Sequence, residues 1–138
     1  MSSNIFGLLA NIKITKNIHY DEIMTMLYRT DIEATIILLQ NIISDISGLP
    51  DKEYFSNNNF ILTALQNVKE GISGIETELT DIKEKMNYNS TLYLMSNMRS
   101  YDLLPNLQRI ETKISVLDRR CEYLFKSLDL CKHFTIKL

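Results

Sequence analysis

Residues 61–86 read ILTALQNVKEGISGIETELTDIKEKM, and their apolar positions recur at alternating intervals of four and three. The series runs Ile61, Leu65, Val68, Ile72, Ile75, Leu79, Ile82, Met86 without a gap. An α-helix turns once per ~3.6 residues, so this spacing holds every one of these side chains on one narrow stripe. A helix cannot bury such a stripe against itself and needs a partner helix. Lys69, Glu76, Glu78, Lys83 and Lys85 flank the stripe, and Glu70, Asp81 and Glu84 occupy the outer face. An apolar seam with charged shoulders is the pattern of a coiled coil, so the stretch predicts a helical association module.

Working outward, the helix is expected to span 58–98. Gly71 and Gly74 lie inside it, where each weakens a helix by about 1 kcal/mol relative to alanine, so they mark a bend or a close approach of another helix. The apolar phase slips near Asn87–Thr91 and resumes on shifted stripes, as an insertion in a heptad series produces. A hinge is expected over 99–104, with Asp102 placed to cap a helix whose first turn tolerates Pro105. A second series follows in the 105–138 segment: Leu107, Ile110, Ile114, Leu117, Cys121, Leu124, Leu128, Cys131. Val116, Tyr123 and Leu130 form a further stripe on the same helix, and two apolar faces predict a bundle of three or more helices.

Upstream, residues 1–19 are ambiguous between helical spacing (Ile5, Leu8, Leu9, Ile12) and an extended reading around Ile12 and Ile14. A short amphipathic helix that packs on the bundle or anchors to a partner is preferred. The 20–48 segment is firmly helical. One stripe runs Ile32, Ile36, Leu39, Ile43, Ile46, and a second runs Leu27, Ala34, Leu38, Ile42. So wide an apolar face predicts contact with more than one neighbour and makes this the most buried helix of the bundle. Gly48 and Pro50 stop it, and 49–57 is the clearest loop, ending in Ser/Asn residues suited to capping the next helix.

With 138 residues, 45% hydrophobic and 23% charged, the chain has the composition of one folded domain, 1–138, rather than of a disordered tail. A net charge of −2 argues against a nucleic-acid partner, and Arg119-Arg120 reads as a solvated helix face. Cys121 and Cys131 are too far apart on one helix to form a disulfide, since the rise between them is about 15 Å. Two free thiols favour a reducing compartment, hence an intracellular and cytoplasmic setting. MSSNIFGLLANIKITK lacks the pattern of a secretory signal, and the apolar run Ala34–Ile43 is far short of the roughly 20 residues that span a bilayer. No integral membrane segment is expected.

No nucleophile motif, Gly-rich phosphate loop or metal-ligand pairing occurs, so the sequence implies no catalytic residue, no cofactor and no metal, and the expected function is non-enzymatic. The two cysteines of the seam read as small apolar residues. The expected interface is the pair of seams: Ile61, Leu65, Val68, Ile72, Ile75, Leu79, Ile82 and Met86 with Leu107, Ile110, Ile114, Leu117, Cys121, Leu124 and Leu128. In a parallel pair, Glu78 would face Lys83 and Lys113 would face Asp118 of a second helix, each of opposite charge. An antiparallel hairpin of the two helices within one chain is equally permitted.

The run Leu104-Pro105-Asn106-Leu107-Gln108-Arg109-Ile110-Glu111, with the heptads to Leu128, resembles the final helix of small coiled-coil subunits of complexes that build or position lysosome-related organelles. It covers this helix only. The resemblance implies a subunit of a helical hetero-assembly. The expectation is thus an all-α chain, its heptad seams forming a hairpin, bundle or coiled coil, that acts as a structural or adaptor subunit of a homo- or hetero-oligomer. The alternative is a monomeric helical regulator that takes a partner peptide in an apolar groove.

Overall fold

The structure, a computed structural model, describes residues 4–14, 20–47, 58–91 and 102–136. It is all-α: apart from Asp31, Asn58, Asp102 and Leu103, every described residue is helical. The helices are α1 (Asn4–Ile14), α2 (Tyr20–Thr30), α3 (Ile32–Ser47), α4 (Asn59–Thr91) and α5 (Leu104–Ile136). The 49–57 loop, the resumed stripes at Leu92–Tyr101 and the first half of the 99–104 hinge lie outside the described residues.

α4 and α5 have 33 residues each, about 50 Å at 1.5 Å per residue, and form the main packed pair. They run antiparallel. Lys85 meets Asn106, Glu78 meets Arg109, Gly74 meets Lys113 and Asn67 meets Arg120, so position falls along one helix as it rises along the other. The start of α5 follows from its capping: Asp102 Oδ1 accepts from the Leu104 amide at 3.0 Å, and Leu107 N donates to Leu103 O at 3.0 Å. Pro105 sits in this first turn, where its missing N–H leaves no intrahelical bond unmade. At α4 the Asn58 carbonyl accepts from the Ile61 and Leu62 amides, both at 3.1 Å.

α1 packs on α4, and α2 packs on α5. Ile5, Leu8, Leu9 and Ile12 of α1 are all buried, so residues 4–14 take the helical alternative and join the core. Ion pairs brace the layer, Lys13 to Glu33 and Arg29 to Glu111.

The expected 20–48 helix is two helices. Asp31 stands between them with φ 50°, the left-handed region, which Asp tolerates better than most residues. Its amide still donates to Leu27 O at 3.1 Å, and its carbonyl accepts from the Thr35 amide at 3.2 Å, so the turn leaves neither group idle. The elbow changes which residues face inward. In a straight helix Ala34 and Leu38 would continue the buried stripe of Ile23, Met26 and Leu27. Past Asp31, Ile32, Ile36 and Leu39 are buried instead, and Ile37 (50% exposed) and Leu38 (53%) face out. α3 is therefore not the most buried helix. The long pair α4–α5, with α1 and α2 laid on it, holds the centre.

Candidate interaction surfaces and the polar seam

The α4 stripe points inward. Ile61, Val68, Ile72, Ile75, Leu79, Ile82 and Met86 are buried, and Leu65 packs half-buried against the core. On α5, Leu107, Ile110, Ile114, Leu117, Cys121 and Leu124 are buried, with Leu128 half-buried. Both seams are thus closed within one chain. Leu103 and Ala64 join them, although neither belongs to the heptad series. Gly71 marks a close approach: a Cβ there would lie 3.1 Å from Leu117 Cδ1, whereas one at Gly74 would meet nothing.

Along one edge of the seam runs a polar ladder. Asn106 is fully buried and uses every polar atom of its amide: Nδ2 donates to Glu78 Oε1 at 3.1 Å and to Asp81 Oδ2 at 2.7 Å, and Oδ1 accepts from Lys85 Nζ at 3.0 Å. Glu78, also buried, accepts from Arg109 Nε at 2.9 Å and from Lys113 Nζ at 3.0 Å. Lys85 also pairs with Asp81 on its own helix at 3.0 Å. Burial alone would raise the Glu78 carboxyl; the hydrogen bonds and charges of Lys113 and Arg109 outweigh it and hold the group below the ordinary carboxylate range. Asp81 is lowered as well, chiefly by its bond from Lys85, against some opposing burial. A buried carboxylate is tolerated only when fully partnered, so the ladder ties α4 to α5 in one register and one direction.

The charge relation expected between parallel copies is used differently here. Glu78 takes its cations from Arg109 and Lys113 of the same chain. Sequence spacing had placed Glu78 and Lys113 on the shoulders of their seams but carried no sign of Asn106, whose burial depends on the helix opposite.

Cys121 is buried and its thiol is pushed up to about 11, first by burial and then by the nearby Asp118 charge. It behaves as an apolar seam residue rather than a reactive thiol. The side chain of Cys131 lies outside the described residues. Among the described residues no His, Cys, Asp or Glu cluster has the arrangement of a metal site, and no helix is long and apolar enough to cross a membrane.

Among the described residues, α3 and α5 each keep an apolar face open. On α3, Ile37 and Leu38 are exposed beside half-buried Ile42 and Ile46. On α5, the stripe Val116, Tyr123, Leu130 faces away from the seam, with Tyr123 59% and Leu130 51% exposed. An open cleft of about 500 Å³ lies between α1, α2 and α3, lined by Lys13, Met24, Leu27, Tyr28, Asp31 and Glu33.

Fold and surface together define a class: an all-helical chain built on an antiparallel heptad-spaced hairpin, with apolar helix faces left over. No protein-family model, curated protein or solved structure matches it.

Proposed function

We propose that the chain is a non-enzymatic structural or adaptor subunit that assembles into a homo- or hetero-oligomeric complex through helical faces. The observation that carries this is the pair of apolar faces on α3 and α5 that remain exposed after both seams have closed. Exposed apolar side chains grouped on one helix face mark a protein contact more often than scattered ones do. The likeness of Leu104–Leu128 to subunits of lysosome-related-organelle complexes favours a helical hetero-assembly. The seams themselves would serve between chains only if the hairpin opened.

Purification of the tagged chain from its native source, with the mass and stoichiometry of the assembly measured, tests the proposal. The expected result is a defined complex that Leu38→Asp or Tyr123→Asp dissociates while leaving helix content unchanged. A chain that runs alone at its own mass, before and after substitution, overturns it.

The monomeric regulator is the second reading, favoured by the internal closure of the seams and by the open cleft between α1, α2 and α3. It expects a monomer that binds a short peptide, with Met24 and Tyr28 as contacts.

A further inference from the structure

α2 and α3 are separated by the backbone of one residue. Asp31 has φ 50°, yet hydrogen bonds of helical spacing run across it: its amide donates to Leu27 O at 3.1 Å, and its carbonyl accepts from the Thr35 amide at 3.2 Å. Two side chains bond in the same spacing, Thr30 Oγ1 to Met26 O at 2.8 Å and Thr35 Oγ1 to Asp31 O at 3.2 Å. Returning Asp31 to the right-handed region would join the two helices without giving up either backbone bond.

The elbow also exchanges faces. At about 100° per residue, Ala34, Ile37 and Leu38 of a straight helix fall on the side of Ile23, Met26 and Leu27. Ile32, Ile36 and Leu39 fall about half a turn away. In the structure this is reversed: Ile32, Ile36 and Leu39 are buried along with Ile23, Met26 and Leu27, while Ala34, Ile37 and Leu38 are exposed. α3 thus carries two apolar stripes on opposite sides, and the dihedral of a single residue decides which one faces the core.

The two forms are unequal. The straight stripe runs into Asn41, Ser44 and Asp45, all exposed, whereas the bent one continues to half-buried Ile43. Glu33 adds to the bent form through its ion pair with Lys13 of α1, which a half-turn of α3 breaks. The bent form is therefore the more populated. A permanent elbow is best served by Gly, which takes φ 50° freely and, Pro apart, disfavours a helix most. Asp accepts either conformation at modest cost and keeps the straight helix within reach.

We propose that Asp31 is a two-state elbow: residues 20–47 interconvert between the bent form and one straight helix, in which α3 turns Ile32, Ile36 and Leu39 out of the core and Ala34, Ile37 and Leu38 inward. Two packings of one segment then differ by the rotation of a single hinge residue. Neither form needs a partner chain, so the elbow stands apart from the association role.

The test places spin labels at two exposed positions of the full chain, Glu22→Cys on α2 and Ser44→Cys on α3, with Cys121→Ala and Cys131→Ser removing the native thiols. On a straight helix the labelled positions lie about 33 Å apart at ~1.5 Å per residue, and the bent form brings them nearer. Double electron–electron resonance should show the short distance as the major one. The ratio of long to short should be at least tenfold higher in Asp31→Ala than in Asp31→Gly, because alanine favours the helix and glycine the left-handed turn. Hydroxyl-radical oxidation, read residue by residue by mass spectrometry, should rise at Ile36 and Leu39 and fall at Ile37 and Leu38 in Asp31→Ala. Ile75 in the α4–α5 seam should stay protected.

One short distance shared by Asp31→Ala and Asp31→Gly overturns the elbow. A long distance without the exchange of oxidation between the stripes overturns it too, since α3 then swings without turning. Oxidation that rises at Ile75 as well marks unfolding of the hairpin in place of straightening, and has the same consequence.

Discussion

Asn106 Nδ2 lies 3.1 Å from Glu78 Oε1, a hydrogen bond between two buried side chains on opposite helices of the hairpin. Apolar seams alone slide and reverse at little cost, because one leucine fits against another at several heptad offsets. A buried amide and carboxylate do not. Any other register strands them without partners, and the mispaired state becomes the costly one.

Removing the amide should therefore be expensive. Asn106→Ala is expected to lower stability by about 2–3 kcal/mol, the scale of hydrogen bonds to charged groups with a buried acceptor left short. Urea denaturation followed by circular dichroism measures this, and a loss below about 0.5 kcal/mol, roughly one thermal unit, would mean that the ladder does not hold the register.

Glu78 and Asp81 both have carboxyls below their ordinary values in the folded state. A lowered folded-state value means the unfolded chain binds the proton more readily, so stability rises with pH across that interval. The contribution is complete above the ordinary carboxylate range, about 4. It is lost as pH falls through the folded values beneath that range. Acid titration of the unfolding midpoint should show a decline below about pH 4 that is shallower in Glu78→Gln. Asp118 is raised by burial and by Glu122 and acts with the opposite sign, so Asp118→Asn should steepen the decline.

The two glycines of α4 should respond in opposite ways. At Gly74 an added methyl meets nothing, so Gly74→Ala should stabilise by about 0.5–1 kcal/mol. At Gly71 it would press on Leu117, a fully buried side chain 3.1 Å away. Gly71→Ala is expected to lose that helix gain and leave the protein less stable than Gly74→Ala by at least ~1 kcal/mol. Thermal melts of the pair decide it.

Asp31 holds the elbow at φ 50°. A β-branched side chain is strained there, so Asp31→Val should cost about 1–2 kcal/mol, while Asp31→Gly should cost nothing or stabilise slightly. Comparable melting temperatures for the two variants would mean that the turn adjusts freely.

How far the fold could be read in advance differs along the chain. The stripes Ile61–Met86 and Leu107–Leu128 were legible because helical periodicity is local: a residue's face follows from its neighbours three and four places away. The Asp102 cap was legible for a similar reason, since a capping Asp acts on its own stretch of backbone. The elbow at Asp31 was not. Residues 20–47 contain no Gly or Pro, and the stretch has helical apolar spacing from end to end. It carries two stripes, and only tertiary packing could select which one turns inward.

By itself, then, the amino-acid sequence determined an all-α chain with two long heptad helices and a shorter amphipathic layer, because backbone hydrogen bonding and side-chain period are properties of adjacent residues. Only the tertiary structure decided that the two seams close on each other antiparallel within one chain. That choice rests on contacts across long sequence separations: Asn106 and Arg109 on Glu78, Lys113 on Gly74 O and Glu78, and Leu117 against Gly71. The same packing decided which apolar faces were left over. With α4 and α5 occupied by each other and by α1 and α2, the outer sides of α3 at Ile37 and Leu38 and of α5 at Tyr123 and Leu130 remain exposed.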